Sequence, residues 1–175
     1  MQYGRNQDNT LNIYRKYQKK KEAEKMEREL LQKIEESIFQ IGDVKVRRGE
    51  KYQGDISFAN GDIVLPGTII CGKLPGKTML ITGGVHSGEY VGIQACVELG
   101  AELQPEKTIG MIVILKVLNR PAFEKRAGSL GLSDGRNLNR VFPGNPNGTE
   151  MERLAWAIDH PEKLAAMRQA CRDLY

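Results

Sequence analysis

The chain has 175 residues, 27% of them charged and 40% apolar, and a formal charge of +4 at pH 7. That length suits one ordinary domain with its own core, and the composition is that of a globular chain rather than a disordered or fibrous one. No apolar run approaches the roughly 18–20 residues of a membrane span, and no apolar leader opens the chain. Its three cysteines, Cys71, Cys96 and Cys171, are scattered and form no Cys-x-x-Cys pair. They argue against a disulfide framework and for a reducing, cytoplasmic setting.

Residues 1–12 are polar and read as a loose tail. From Ile13 to Phe39 the chain has neither Pro nor Gly and is rich in good helix formers, with Glu29 four residues before Lys33. Apolar residues at Met26, Leu30, Ile34 and Ile38 recur at helical spacing, so the reading is a charged amphipathic helix closed by Gly42 as its C-terminal cap. Its Lys19-Lys20-Lys21 run fits a solvated face better than nucleic-acid binding, because no aromatic stacking platform accompanies it.

After Gly42 the pattern changes to short strands and turns. Val44-Lys-Val-Arg alternates, and Asn60-Gly61 between ISFA and DIVL is a hairpin signal. The segment Gly72–Thr78, GKLPGKT, imitates a phosphate-binding loop but has three residues between its glycines where four are needed; it reads as a turn. Met79–Thr82 reads as a buried central strand, Tyr90–Leu103 as a helix with Val91, Ala95, Leu99 and Leu103 on its inner face, and Thr108–Leu118 as a second buried strand. Together they make a βαβ unit, and ligands collect at the carboxyl ends of such strands. Residues 119–148 are long for an idle loop. Thr149 and Glu152 then form a capping box that opens a helix. Asp159-His160-Pro161 interrupts it, and Pro161–Tyr175 reads as a last amphipathic helix.

Two groups of residues could carry chemistry. His86 and Glu89 stand three apart in the glycine-rich turn after Met79–Thr82. Such a pair can hold a divalent metal or simply hydrogen-bond within its turn; the small neighbours and the strand end favour a ligand site. The second group is the stretch DGRNLNRVFPG, residues 134–144, where Arg140 can grip a carboxylate in a fork and Asn139 can add a directional hydrogen bond. The same residues could instead satisfy only the loop's own backbone. Arg126 is a further cation in this region.

GGVHSGEYVG followed by NRPAFEKR and DGRNLNRVFPGNPNGTEMERLA resembles the succinylglutamate desuccinylase/aspartoacylase family of zinc carboxypeptidase-like hydrolases, over roughly residues 42–157. The resemblance implies an α/β fold with a mixed sheet flanked by helices. It implies zinc held by His86, Glu89 and a downstream histidine, with a downstream glutamate as general base. It also implies a substrate carboxylate bound by Asn139 and Arg140, and Arg126 beside the scissile carbonyl. The family's third ligand follows a further strand, in a segment like DLHSG, which this sequence does not show. His160, between two helices, reads as helix punctuation and not as that ligand.

The resulting expectation is an incomplete zinc-hydrolase domain over residues 42–158, preceded by a tail and charged helix over 1–41. A helix without family counterpart follows over 159–175. The activity implied is zinc-dependent hydrolysis of N-acyl amino acids or related amide or ester bonds, inactive in this short chain, with a small carboxylate-bearing substrate, no membrane partner and self-association through an incomplete sheet. The alternative is a non-catalytic anion-binding or interaction module derived from that fold.

Overall fold

The computed structural model describes residues 4–58 and 61–159. The readings for Asn60, His160 and Pro161–Tyr175 lie outside the described residues. The chain divides into two units, residues 1–36 and 37–175.

The first unit is the helix α1, Gly4–Glu35. It begins well before Ile13 and ends before Phe39. The tail reading of residues 1–12 therefore gives way to helix from Gly4, which runs through Asn6, Asp8, Asn9, Thr10 and Asn12 despite their low helix propensity. At the other end, Ile38–Ile41 leaves the helical pattern and forms strand β1, whose alternate side chains Phe39 and Ile41 are buried. Gly42 is consequently not a helix cap. Its φ of 57° serves the tight turn between β1 and β2, Val44–Arg47, which pair antiparallel from Ile41↔Val44 to Ile38↔Arg47.

In the second unit, β3 (Lys51–Phe58), β4 (Ile63–Cys71), β5 (Leu74–Thr82) and β6 (Ile109–Leu115) form one mixed sheet in the order β3-β4-β6-β5. β3, β4 and β6 pair antiparallel, whereas β5 pairs parallel with β6. Between β5 and β6 lies the crossover helix α2, Tyr90–Glu102. The period of two in β4 and β6 divides the core between the two faces. Leu65, Ile69, Cys71, Met111, Val113 and Leu115 face one cluster, which takes in Phe39, Ile41 and Val46 from the β1–β2 hairpin and Met151, Leu154 and Ala155 from α4, Glu150–Asp159. Ile70 and Ile114 face the other, under Cys96 of α2. Each fully buried isoleucine here contributes about 1.5–3 kcal/mol of transfer free energy.

Two sequence readings are corrected by this packing. Met79–Thr82 is not a central strand: β5 is the edge of the sheet, with Met79 57% exposed. The strand also extends back to Leu74, so GKLPGKT supplies mostly strand and its turn is confined to Gly72-Lys73, with a register irregularity between Leu74 and Thr78. The inner face of α2 is Ile93, Cys96 and Gly100, not Val91 and Leu99. Gly100 lies against Thr68, whose Oγ1 would stand 2.8 Å from an added Cβ, so the helix approaches the sheet through its smallest residue.

No helix among the described residues is long and apolar enough to cross a membrane.

The corrected face of α2 is testable by urea unfolding. Ile93→Ala should cost about 2–4 kcal/mol, whereas Val91→Ala, at an 86% exposed position, should stay within about 0.5 kcal/mol. The reverse ranking would restore the Val91/Leu99 face.

Candidate functional site

The site begins where β5 ends. Gly83 N–H donates to Leu115 O at 2.8 Å, and Leu118 and Asn119 N–H donate back to Gly83 and Gly84 at 2.9 Å each. The parallel ladder thus continues past the strands into the turn. A Cβ on Gly83 would stand 2.8 Å from Lys116 O, 2.9 Å from Cys96 Sγ and 3.0 Å from Gly92 O. Only glycine lets strand, neighbouring strand and helix meet this closely. The turn that follows places His86 and Glu89 before the first residue of α2, with Glu89 as its N-cap residue.

His86 Nδ1 lies 2.8 Å from Glu89 Oε1, and His86 Nε2 lies 3.0 Å from Asn137 Oδ1. Both contacts are to oxygens that accept, so each ring nitrogen donates and the imidazolium is favoured. The Glu89 hydrogen bond first, and that to Asn137 second, raise the His86 pKa above 6.5; desolvation and the positive charge of Arg140 oppose this. The second contact joins the two stretches that the sequence could only place side by side. Asn137 was not among the candidate residues. Its Oδ1 also accepts Asn139 N–H at 2.9 Å, a side-chain turn two residues on. The Asn-x-Asn spacing was the available signal.

The loop carrying Asn137, Asn139 and Arg140 is tied to α4. Asp134 accepts from Arg136 N–H and Met151 N–H, each at 3.0 Å, and Arg136 donates to Glu152 Oε1 at 2.6 Å. Glu152 Oε2 also accepts Thr149 N–H at 2.9 Å, so the capping-box glutamate serves helix and loop together. Leu138 is fully buried and pins the 3-10 turn Leu138–Arg140, leaving Asn139 and Arg140 exposed. Asn119 is buried and structural: it caps α3, Arg120–Glu124, and donates to Leu130 O.

Arg126 closes α3. Its N–H donates to Phe123 O and that of Ala127 to Ala122 O, the hydrogen-bond pair of a Schellman motif. Arg126 therefore occupies the position usually given to glycine, and its φ is 54°. Left-handed backbone costs a residue with a side chain about 1–2 kcal/mol. The side chain is kept there at that cost and lines, with Tyr90, Phe123 and Glu124, a broad depression of about 530 Å³. Tyr90 directly follows Glu89, which sets this depression beside the His86 turn.

A nitrogen and a carboxylate oxygen are suitable zinc donors. His86 and Glu89 would hold the ion in place of the 2.8 Å hydrogen bond that joins them. Metal on Nδ1 would leave Nε2–H donating to Asn137, the outer hydrogen bond that fixes a ligand imidazole. The chemistry fits, but with two donors: among the described residues no group of three or more His, Cys, Asp or Glu side chains could hold one ion.

The chain and its fold have counterparts among known proteins. The family profile of the succinylglutamate desuccinylase/aspartoacylase catalytic domain matches residues 75–170. An N-alpha-acetyl-L-2,4-diaminobutyric acid deacetylase from Halomonas elongata is 38% identical over 95 residues, covering 54% of this chain and 27% of that protein. The crystal structure of a succinylglutamate desuccinylase/aspartoacylase from Rhodobacter sphaeroides superposes with a TM-score of 0.55 at 32% identity, covering 67% of this chain and 38% of that one. The product-bound ectoine utilization protein EutE (DoeB) from Ruegeria pomeroyi gives 0.55 at 33% identity, covering 64% and 36%. The chain thus spans little more than a third of these relatives at most.

Two measurements check the site's physics. By NMR titration His86 should have a midpoint above 6.5 that Glu89→Gln lowers; an unmoved midpoint would show that the pair is not formed. The raised folded pKa means this contact stabilises fully below pH 6.5, and the benefit disappears as pH rises through the folded value. Arg126→Gly should stabilise by about 0.5 kcal/mol, the relief of left-handed backbone less glycine's own entropic cost; a loss of stability in urea would mean that the arginine side chain packs.

Proposed function

The chain belongs to the succinylglutamate desuccinylase/aspartoacylase catalytic-domain family, and from that premise we propose that it carries part of a zinc-dependent hydrolase site for the amide or ester bonds of N-acyl amino acids. The observation that supports this most is the 3.0 Å contact between His86 and Asn137, which joins the metal-donor turn to the anion-binding loop.

In this reading His86 and Glu89 are metal ligands, and Asn137 holds the imidazole by its outer nitrogen. Arg140 takes the substrate carboxylate as a fork, and Asn139 adds a hydrogen bond. Held this way, the acyl group meets the metal side of the site without a further entropic cost. Arg126, which has no ion pair among the described residues, stands ready to stabilise charge developing on the carbonyl oxygen. Zinc, when bound, supplies Lewis-acid polarisation and water acidified to a pKa of about 7. This reading needs a third donor and a general base besides the residues named here, and it expects little or no turnover from the 175-residue chain. The buried thiols Cys71 and Cys96 suit a reducing, cytoplasmic setting.

A second reading is a metal-free carboxylate-binding module, favoured by the hydrogen bonds of Asp134 and Glu152 that fix the loop exposing Asn139 and Arg140. Calorimetry with zinc separates the two. The hydrolase reading expects one zinc per chain, lost on His86→Ala, with affinity falling as pH drops below the raised His86 pKa. It also expects Arg140→Met to weaken binding of an N-acetyl amino acid about tenfold, the worth of one charge-assisted contact. Carboxylate binding without zinc binding selects the module, and robust turnover by this chain would overturn the expectation that the site is incomplete.

A further inference from the structure

The helix α1 lies in a unit of its own, and its charges are sorted along its length. Arg15, Lys16, Lys19, Lys20 and Lys21 come first, with no acid among them. Glu22, Glu24, Glu27 and Glu29 follow, interrupted only by Lys25 and Arg28 as cations. Residues 15–21 therefore carry +5 and residues 22–29 carry −2. A helix stabilised by water and its own ion pairs alternates the two signs at four-residue spacing. Lys25 and Glu29 make such a pair, at 3.8 Å, but Lys20, Glu24 and Glu27 have no ion pair among the described residues.

The sorted charges lie on one seam. Tyr17, Lys20, Glu24, Glu27 and Leu31 recur at alternating steps of three and four, the spacing that keeps residues facing a second helix wound around the first. All five are exposed, Tyr17 by 53% and Leu31 by 51%. Ile34, at the next position, is buried, so the exposed seam ends at Leu31. A parallel copy would set Lys20 against Lys20 and Glu24 against Glu24. Reversed, the seam is its own complement. About a two-fold axis near Glu22, residues 15–21 of each copy run beside residues 22–29 of the other, and Lys20 stands beside the partner's Glu24.

We propose that α1 is a homodimerisation helix: two copies of this chain pair through it antiparallel, basic half against acidic half. Nucleic acid suits this seam less well, because the carboxylates of residues 22–29 follow directly on the lysines and repel phosphate. A second copy satisfies both halves at once.

Sedimentation equilibrium of the full chain at submillimolar concentration, in about 0.05 M and about 0.5 M salt, tests it. The expected result is a dimer at low salt whose dissociation constant rises about tenfold or more at high salt, as pairs of exposed charges are screened. Lys19→Glu with Lys20→Glu and Lys21→Glu makes both halves acidic; Glu22→Lys with Glu24→Lys and Glu27→Lys makes both basic. Each triple variant should be monomeric where the unmodified chain is dimeric, and an equimolar mixture of the two should dimerise again. Recovery on mixing separates a lost contact from a lost helix, which circular dichroism also checks. A photo-crosslinking residue in place of Tyr17 should attach to residues 22–31 of the partner; attachment around the partner's own Tyr17 overturns the antiparallel sense. A chain monomeric at both salts, a dimer that both triple variants leave intact, or a mixture that stays monomeric overturns the proposal. So does a monomer that binds RNA through Lys19–Lys21, which makes the basic half a nucleic-acid surface instead.

Discussion

The parallel pairing of β5 with β6 decides where chemistry can occur in this chain. Parallel neighbours send both strand ends to the same edge of the sheet, so the turns after Thr82 and after Leu115 emerge side by side. Gly83 keeps them together, because a side chain there would separate β6, α2 and the turn at once. His86 and Glu89 on one turn, and α3 with Arg126 after the other, are consequences of that single close approach.

The long segment between α3 and α4 is held by a few carboxylates and amides rather than by regular structure. Asn119 fastens its beginning, Asp134 and Glu152 bridge it to the start of α4, and Leu138 anchors its middle in the core. The backbone around Asn139 and Arg140 is thus ordered before any ligand arrives. Less conformational entropy remains to be lost on binding.

Much of this was legible in the sequence because strand and cap signals are local. The apolar run Thr108–Leu118 marked β6, and Thr149-x-x-Glu152 marked the start of α4. The resemblance carried by HSGE and DGRNLNR singled out the candidate site residues. What was misread depended on partners far along the chain. Ile38 and Phe39 continue a helical pattern yet pair with Val46 and Arg47, and no propensity reports that pairing. Met79 looks central by apolarity and lies at the edge. The buried face of α2 was missed because glycine scores as a helix weakness, while at Gly100 it is the contact itself. Asn137 was passed over because its role exists only once His86 is opposite it.

Asn137 accepts at one oxygen from two sides, from the His86 ring and from the backbone N–H of Asn139. In the proposed site, a carboxylate that moved Asn139 and Arg140 would reach the imidazole through this oxygen, and an ion that reoriented the imidazole would reach the Asn139 amide the same way. Two such binding events would be thermodynamically linked, and linkage is reciprocal: the factor by which a carboxylate changed metal affinity would equal the factor by which metal changed carboxylate affinity. One shared acceptor would then couple metal and carboxylate, to a degree measurable in the absence of turnover.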